Sequence, residues 1–221
     1  MNVTIRFKIL KFEPKFSITN MSVYRVKKML KRMKQLIALF FIMLIFVGAK
    51  DITIASSYQN ITTNPKITDS LGQLQSIGRG DVISILNGNN ATGKPMRVMF
   101  RDLAMYGLSN CEAVTMKTNG GALVVYINKK HENAPSEAIA CLIAHESQHH
   151  TQTNTKAEEL RAWLKEVSTW NEFVRRDKTL ALSTAPLVKR LNYIDKMVVR
   201  DNGHSGIVKL IANHPTYAGL N

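Results

Sequence analysis

Acidic residues are nearly absent from the first fifty positions. Glu13 stands alone there against eleven Lys and Arg, so ten of the fourteen net positive charges lie in the leader. Residues 51–221 hold nineteen basic and fifteen acidic side chains, a net of only four. A nucleic-acid-binding domain carries its basic excess on the folded part, so no nucleic-acid partner is expected. Cysteine is scarce: Cys111 and Cys141 permit one disulfide at most and do not demand it. Long apolar runs are missing, since the longest, Leu36 to Ala49, has fourteen residues. A spanning helix needs about twenty. No internal repeat is visible. A phosphate-binding loop is also excluded: Gly88 to Lys94 approaches its glycine spacing, but Pro95 stands where the Mg²⁺-binding hydroxyl belongs.

What the leader does contain is the layout of an export signal. Arg25, Lys27, Lys28, Lys31, Arg32 and Lys34 form a basic block ahead of Leu36–Ala49, and small-residue cleavage options follow at Ala49, Ala55 and Ser57. Residues 21–55 are therefore expected to be a signal sequence or, if retained, an N-terminal anchor. Residues 1–20 read as an upstream extension, with Met21 as the true start. The membrane is met only through Leu36–Ala49, and the destination is periplasmic or extracellular. Residues 56–221 are of the size of one domain.

Within that domain, residues 56–95 are rich in Asn, Thr, Ser and Gly and read as a loosely ordered lead-in, broken by Asp81–Leu86 as a short helix or strand. Three strand-like runs follow: Met96–Arg101, Glu112–Lys117 and Ala122–Asn128. The last is the strongest and is entered through the hairpin-like turn Asn119-Gly120-Gly121. A helix is predicted from about Asn133 to His150, with Pro135 and Glu137 in its first turn. Its first half, Ala138 to Ala144, is apolar on every side, which marks a central, buried helix. A second helix starts at Thr155, where Thr155 and Glu158 have capping-box spacing, and carries Trp163, Val167, Trp170 and Val174 on one face. Helical segments near 185–200 and 207–213 end the chain. Strands first and helices afterwards predict an α+β fold.

The chemistry is concentrated in His145-Glu146-Ser147-Gln148-His149. Two His four apart on a helix project from one face about a turn apart, so their nitrogens can share one Zn²⁺. Glu146 stands beside that metal without ligating it and can act as general base on a zinc-bound water. Burying two His and a Glu is costly unless they are paired or metal-bound. The plainer alternative is a helix end, with His149 and His150 favouring the dipole and Glu146 in solvent. Three glutamates compete to complete the site: Glu158, Glu159 and Glu166. Glu158 is engaged by the capping box, and Glu166 lies two turns beyond Glu159 on the same face, suited to orienting a His. Cys141, one turn before His145, is read chiefly as packing. His131, His204 and His214 are assigned to the surface.

These residues resemble the zincin superfamily of zinc metallopeptidases over about residues 120–175. The metzincin branch is excluded because Thr155 occupies its third-ligand position. The gluzincin branch takes a Glu from the next helix with a small residue three positions on, a pattern that Glu159 and Ala162 fit. Two features depart from it: only nine residues separate His149 from Glu159, and Trp163 replaces the familiar Asp after the small residue. The resemblance implies Zn²⁺ held by His145, His149 and Glu159, with a small sheet packed on the active-site helix. It implies that Ala122–Asn128 is an edge strand aligning an extended peptide, with Val124, Tyr126 and Asn128 as substrate contacts. It also implies an oxyanion donor among His204, Tyr193 and Tyr217. The expected activity is hydrolysis of peptide bonds in a peptide or protein substrate. The rival is an exported, non-catalytic domain whose helix keeps zinc, or nothing, for structure.

Overall fold

The computed structural model describes residues 58–151, 153–200, 205–213, 217 and 219–220, together with Met33. The expected leader, its cleavage positions, the upstream extension, His204 and His214 lie outside the described residues, Met33 excepted. From Tyr58 onward the architecture is α+β. The helices are α1 (Pro65–Ser76), α2 (Gly80–Leu86), α3 (Ser136–Glu146), α4 (Lys156–Arg176), α5 (Pro186–Arg200) and α6 (Ser205–Asn213). The strands are β1 (Arg97–Arg101), β2 (Ala113–Lys117) and β3 (Leu123–Asn128). No helix of the described residues is long and apolar enough to cross a membrane.

The segment expected to be a loose lead-in is instead part of the core. Asn64 caps α1 by accepting from the Ile67 amide, Pro65 opens its first turn, and Ile67, Leu71 and Leu74 are buried. Those three stand at helical spacing, so a buried stripe runs along a segment whose bulk composition is polar. Composition averaged over the segment hid the periodicity. Asp81–Leu86 resolves as the helical α2, with Val82 and Leu86 inward.

The sheet has the order β1-β3-β2, with β1 parallel and β2 antiparallel to β3. The β2–β3 hairpin closes through hydrogen bonds between Thr118 and Ala122 and between Gly121 and Thr118, with Gly121 at φ +77°. This corrects the edge-strand expectation: β3 is the central strand, paired on both sides, and β2 is an edge. The near-continuous burial of β3 reflects cover over both of its faces, but a sequence pattern does not say which strand neighbours which. Leu123, Val125 and Ile127 join the core with α1, α2 and the whole of α3 from Ala138 to Ala144.

α3 is enclosed as predicted, but it ends as an α-helix at Glu146, and residues Ser147–Thr151 continue as a 3₁₀ turn. Ser147 donates its hydroxyl to the Ala144 carbonyl at 2.7 Å. Such back-bonding competes with the regular helical ladder. α4 packs Trp163, Val167, Trp170 and Phe173 inward. A smaller cluster of Trp163, Val167, Ile194, Ile207 and Ile211 joins α4 to α5 and α6.

Candidate metal centre

Where α3 runs into its 3₁₀ turn, a cavity of about 340 Å³ opens between β2, α3, α4, α5 and Tyr217. His145, Glu146, His149 and Glu159 all line it, with Trp163, Arg190 and Tyr217. His145 Nε2 lies 3.8 Å from Glu159 Oε2, and His149 Nε2 lies 3.5 Å from Glu159 Oε1. The two imidazole rings are 5.4 Å apart between centroids. His145, His149 and Glu159 each offer one ligand atom, all within 4.8 Å of one another. Glu159 Oε2 is buried without a hydrogen-bond partner among the described residues. Each oxygen of this carboxylate faces one imidazole nitrogen, and a buried oxygen left without a hydrogen bond is costly unless something cationic sits there. Two nitrogens and one carboxylate oxygen are a ligand set of catalytic zinc. The donors fit the metal.

The three glutamates differ in their partners. Glu158 is buried and accepts from the Thr151 hydroxyl at 2.8 Å, the Thr153 hydroxyl at 2.7 Å and the Asn154 amide at 2.7 Å. Burial pushes its pKa up, but these hydrogen bonds outweigh that and hold it below the ordinary value. The capping box is thus half formed. Thr155 accepts from the Glu158 amide, while the carboxylate turns to the preceding loop rather than to the amide of Thr155. Glu166 is fully buried, accepts from His145 Nδ1 at 3.0 Å and is paired to Arg190. Its pKa is pulled down to about 2, because Arg190 and His145 together overcome the effect of burial. With Nδ1 turned to Glu166, His145 presents Nε2 to the cavity.

Glu146 stands apart from the three donors. It is 5% exposed, which excludes the solvent-facing helix end. The Thr115 hydroxyl of β2 lies 2.8 Å from Glu146 Oε2 and 3.0 Å from its backbone carbonyl. Burial raises the Glu146 pKa to about 7, against the lowering effect of His145 and of Thr115. His149 is displaced the other way, to about 4, by burial and then by the neighbouring His145.

The expected substrate contacts are not brought to this cavity. Val124 and Tyr126 alternate with the core-facing residues of β3 and point to the opposite face of the sheet from Thr115 and α3, and Tyr126 stacks on Tyr106. Asn128 has a scaffolding role: its amide donates to the carbonyls of Ser109 and Cys111, and its Oδ1 accepts from the Lys130 amide. The strand wall of the cavity is Ala113, Val114 and Thr115 of β2. Both cysteines are free: Cys141 is enclosed in the core, and Cys111 lies on the cavity wall. His131 corrects its surface assignment. It is buried at the 3₁₀ turn after β3, where its ring meets Glu112, whose other partner is Lys130 at 2.8 Å. Of the candidate oxyanion donors, Tyr217 lines the cavity and Tyr193 is exposed.

Thr115 and Arg190 carried no assignment from the sequence. Thr115 has no signal, being one Thr in a strand 31 residues from its partner. Arg190 has one: it lies on the face of α5 that also carries Leu187, Leu191 and Ile194, where a cation is out of place.

No protein family, curated protein or solved structure matches this chain.

Proposed function

We propose that the chain is an exported, zinc-dependent metallopeptidase of the zincin type, acting on peptide or protein substrates. The observation that carries the reading is Glu146. It is a buried carboxylate lining the cavity outside the donor group, and the Thr115 hydroxyl holds its Oε2. A general base must stand within reach of the proton it takes, free of any ligand role. His145, His149 and Glu159 would hold the metal, which when bound supplies a Lewis acid for the scissile carbonyl and for water. Glu146 takes a proton from the attacking water at Oε1, the oxygen that Thr115 does not hold, and then passes it to the leaving amine. Glu166 keeps Nδ1 of His145 occupied. The substrate backbone lies along the edge of β2, beside Thr115, rather than along β3.

The non-catalytic alternative, structural zinc, needs a closed set of four ligands. The group of donors numbers three among the described residues, with Cys141 in the core and Glu166 engaged elsewhere. A donor group of three among the described residues favours catalysis.

The test combines metal analysis of the purified chain with cleavage of an unstructured protein, with and without a chelator. Glu146→Gln is expected to retain one zinc and to lose activity by about 10²–10⁴-fold. A Gln variant that cleaves as fast as wild type sinks the mechanism. A zinc-loaded wild type that cleaves no peptide in a mixed pool points to the structural alternative.

A further inference from the structure

His145 of α3, Glu166 of α4 and Arg190 of α5 form one connected line behind the metal donors. Glu166 Oε2 accepts from His145 Nδ1 at 3.0 Å and from Arg190 Nη2 at 3.2 Å, while Oε1 meets Nη1. Both carboxylate oxygens are therefore turned to one guanidinium, in the two-pronged geometry that Arg alone provides. Arg190 is held in turn. Its guanidinium carbon lies 5.0 Å from the centroid of the Trp163 ring, within the range of a cation–π contact. Trp163 packs edge-on against His145, with centroids 6.1 Å apart. Arg190 thus reaches the first histidine by two routes, one polar and one through an aromatic ring.

Donor and acceptor capacity then fixes the proton. A guanidinium donates only and has no acceptor. Carboxylate oxygens facing it must accept, so Glu166 has only acceptor capacity to offer the imidazole. His145 must then carry its proton on Nδ1 and turn the lone pair of Nε2 into the cavity, toward Glu159. Without the guanidinium, Glu166 is no longer held to that role, and neither the ring orientation nor its tautomer is fixed.

We propose that Arg190 is a positioning residue of the metal centre, a role that rests on His145, His149 and Glu159 holding a metal. Through Glu166 and Trp163 it fixes the ring of His145, so that metal affinity depends on the seating of α5. The dependence runs through one side chain on a helix that supplies no ligand.

The test measures zinc affinity of the full chain by competition with a chromophoric chelator, and records the visible spectrum of the Co²⁺-substituted protein. Arg190→Met is expected to bind zinc about 10–100-fold more weakly. Arg190→Lys is expected to recover part of that loss, since an ammonium still donates to Glu166 but loses the fork. Arg190→Met leaves a buried carboxylate stranded, so the double variant Arg190→Met/Glu166→Gln provides a fold without that charge. It is expected to remain at least about tenfold weaker, with an altered Co²⁺ spectrum. A folded double variant that matches wild type in zinc affinity and in spectrum overturns the role of Arg190. A wild type that binds no zinc under conditions where His149→Ala also binds none is a different failure, and removes the metal centre itself.

Discussion

His145 and His149 are interchangeable in the motif but stand in two kinds of structure. His145 belongs to the last turn of an enclosed α-helix and is locked from behind by Glu166. His149 belongs to a 3₁₀ turn and is nearer the surface, 13% exposed at its side chain, with Glu158 Oε1 at 3.9 Å from its Nδ1. One candidate donor is built on the core, and the other on the loop that leads to α4. A donor locked from behind and a less enclosed one thus face the same carboxylate.

The largest test of this difference removes the two supporting glutamates in turn. Glu166→Ala leaves Arg190 without its partner, and breaking a buried pair costs about 3–5 kcal/mol. Arg190 keeps some access to the cavity, so the lower end of that range is expected. Glu158→Ala removes an acceptor of three hydrogen bonds in the loop before α4 and is expected to cost about 1–3 kcal/mol. Urea unfolding of the metal-free variants measures both. Equal losses would erase the distinction between the core side and the loop side.

A second test uses pH. In the metal-free protein the His149 pKa is depressed to about 4 from an ordinary 6.5. Between those values the unfolded chain binds the extra proton and the folded one does not, so stability falls as pH drops from 6.5 toward 4. His145 runs the other way. Burial pulls its pKa down, but Glu166, followed by Glu146 and Glu159, raises it above 6.5. Its contribution is complete below 6.5 and is lost as pH rises through the raised value. Ring resonances followed by NMR should therefore titrate on opposite sides of 6.5. Two coincident titrations would contradict the comparison.

The smallest effect concerns the residue between the histidines. Thr115→Val removes the hydroxyl that holds Glu146, worth about 1 kcal/mol or roughly a fivefold change. A loss of that size in kcat, with zinc content unchanged, is the expected result. A loss of zinc instead would assign Thr115 to the ligand side.

Local features were legible in the sequence and pairings were not. The buried character of Ala138–Ala144, the cap at Thr155 and the three strands follow from short-range periodicity, and each has its counterpart in the structure. The donors were legible because they are close in sequence and one motif names two of them. Strand order was not, since the burial of β3 marks a strand without naming its neighbours. α1 was missed because its buried stripe of Ile67, Leu71 and Leu74 is diluted by polar residues between. The change from α-helix to 3₁₀ turn after Glu146 has no signature in the periodicity. Arg190 and Thr115 meet their partners across 24 and 31 residues, which no local pattern reports.

That spread bears on the order of assembly. The three donors lie between positions 145 and 159, so gathering them closes only short loops and costs little chain entropy. The groups behind His145 lie further along the chain, Glu166 on α4 and Arg190 on α5. Read from the N-terminus, the chain therefore supplies its candidate donors before the guanidinium that holds Glu166. A fragment that stops before position 190 contains the three candidate donors and Glu166 but lacks the guanidinium that holds Glu166.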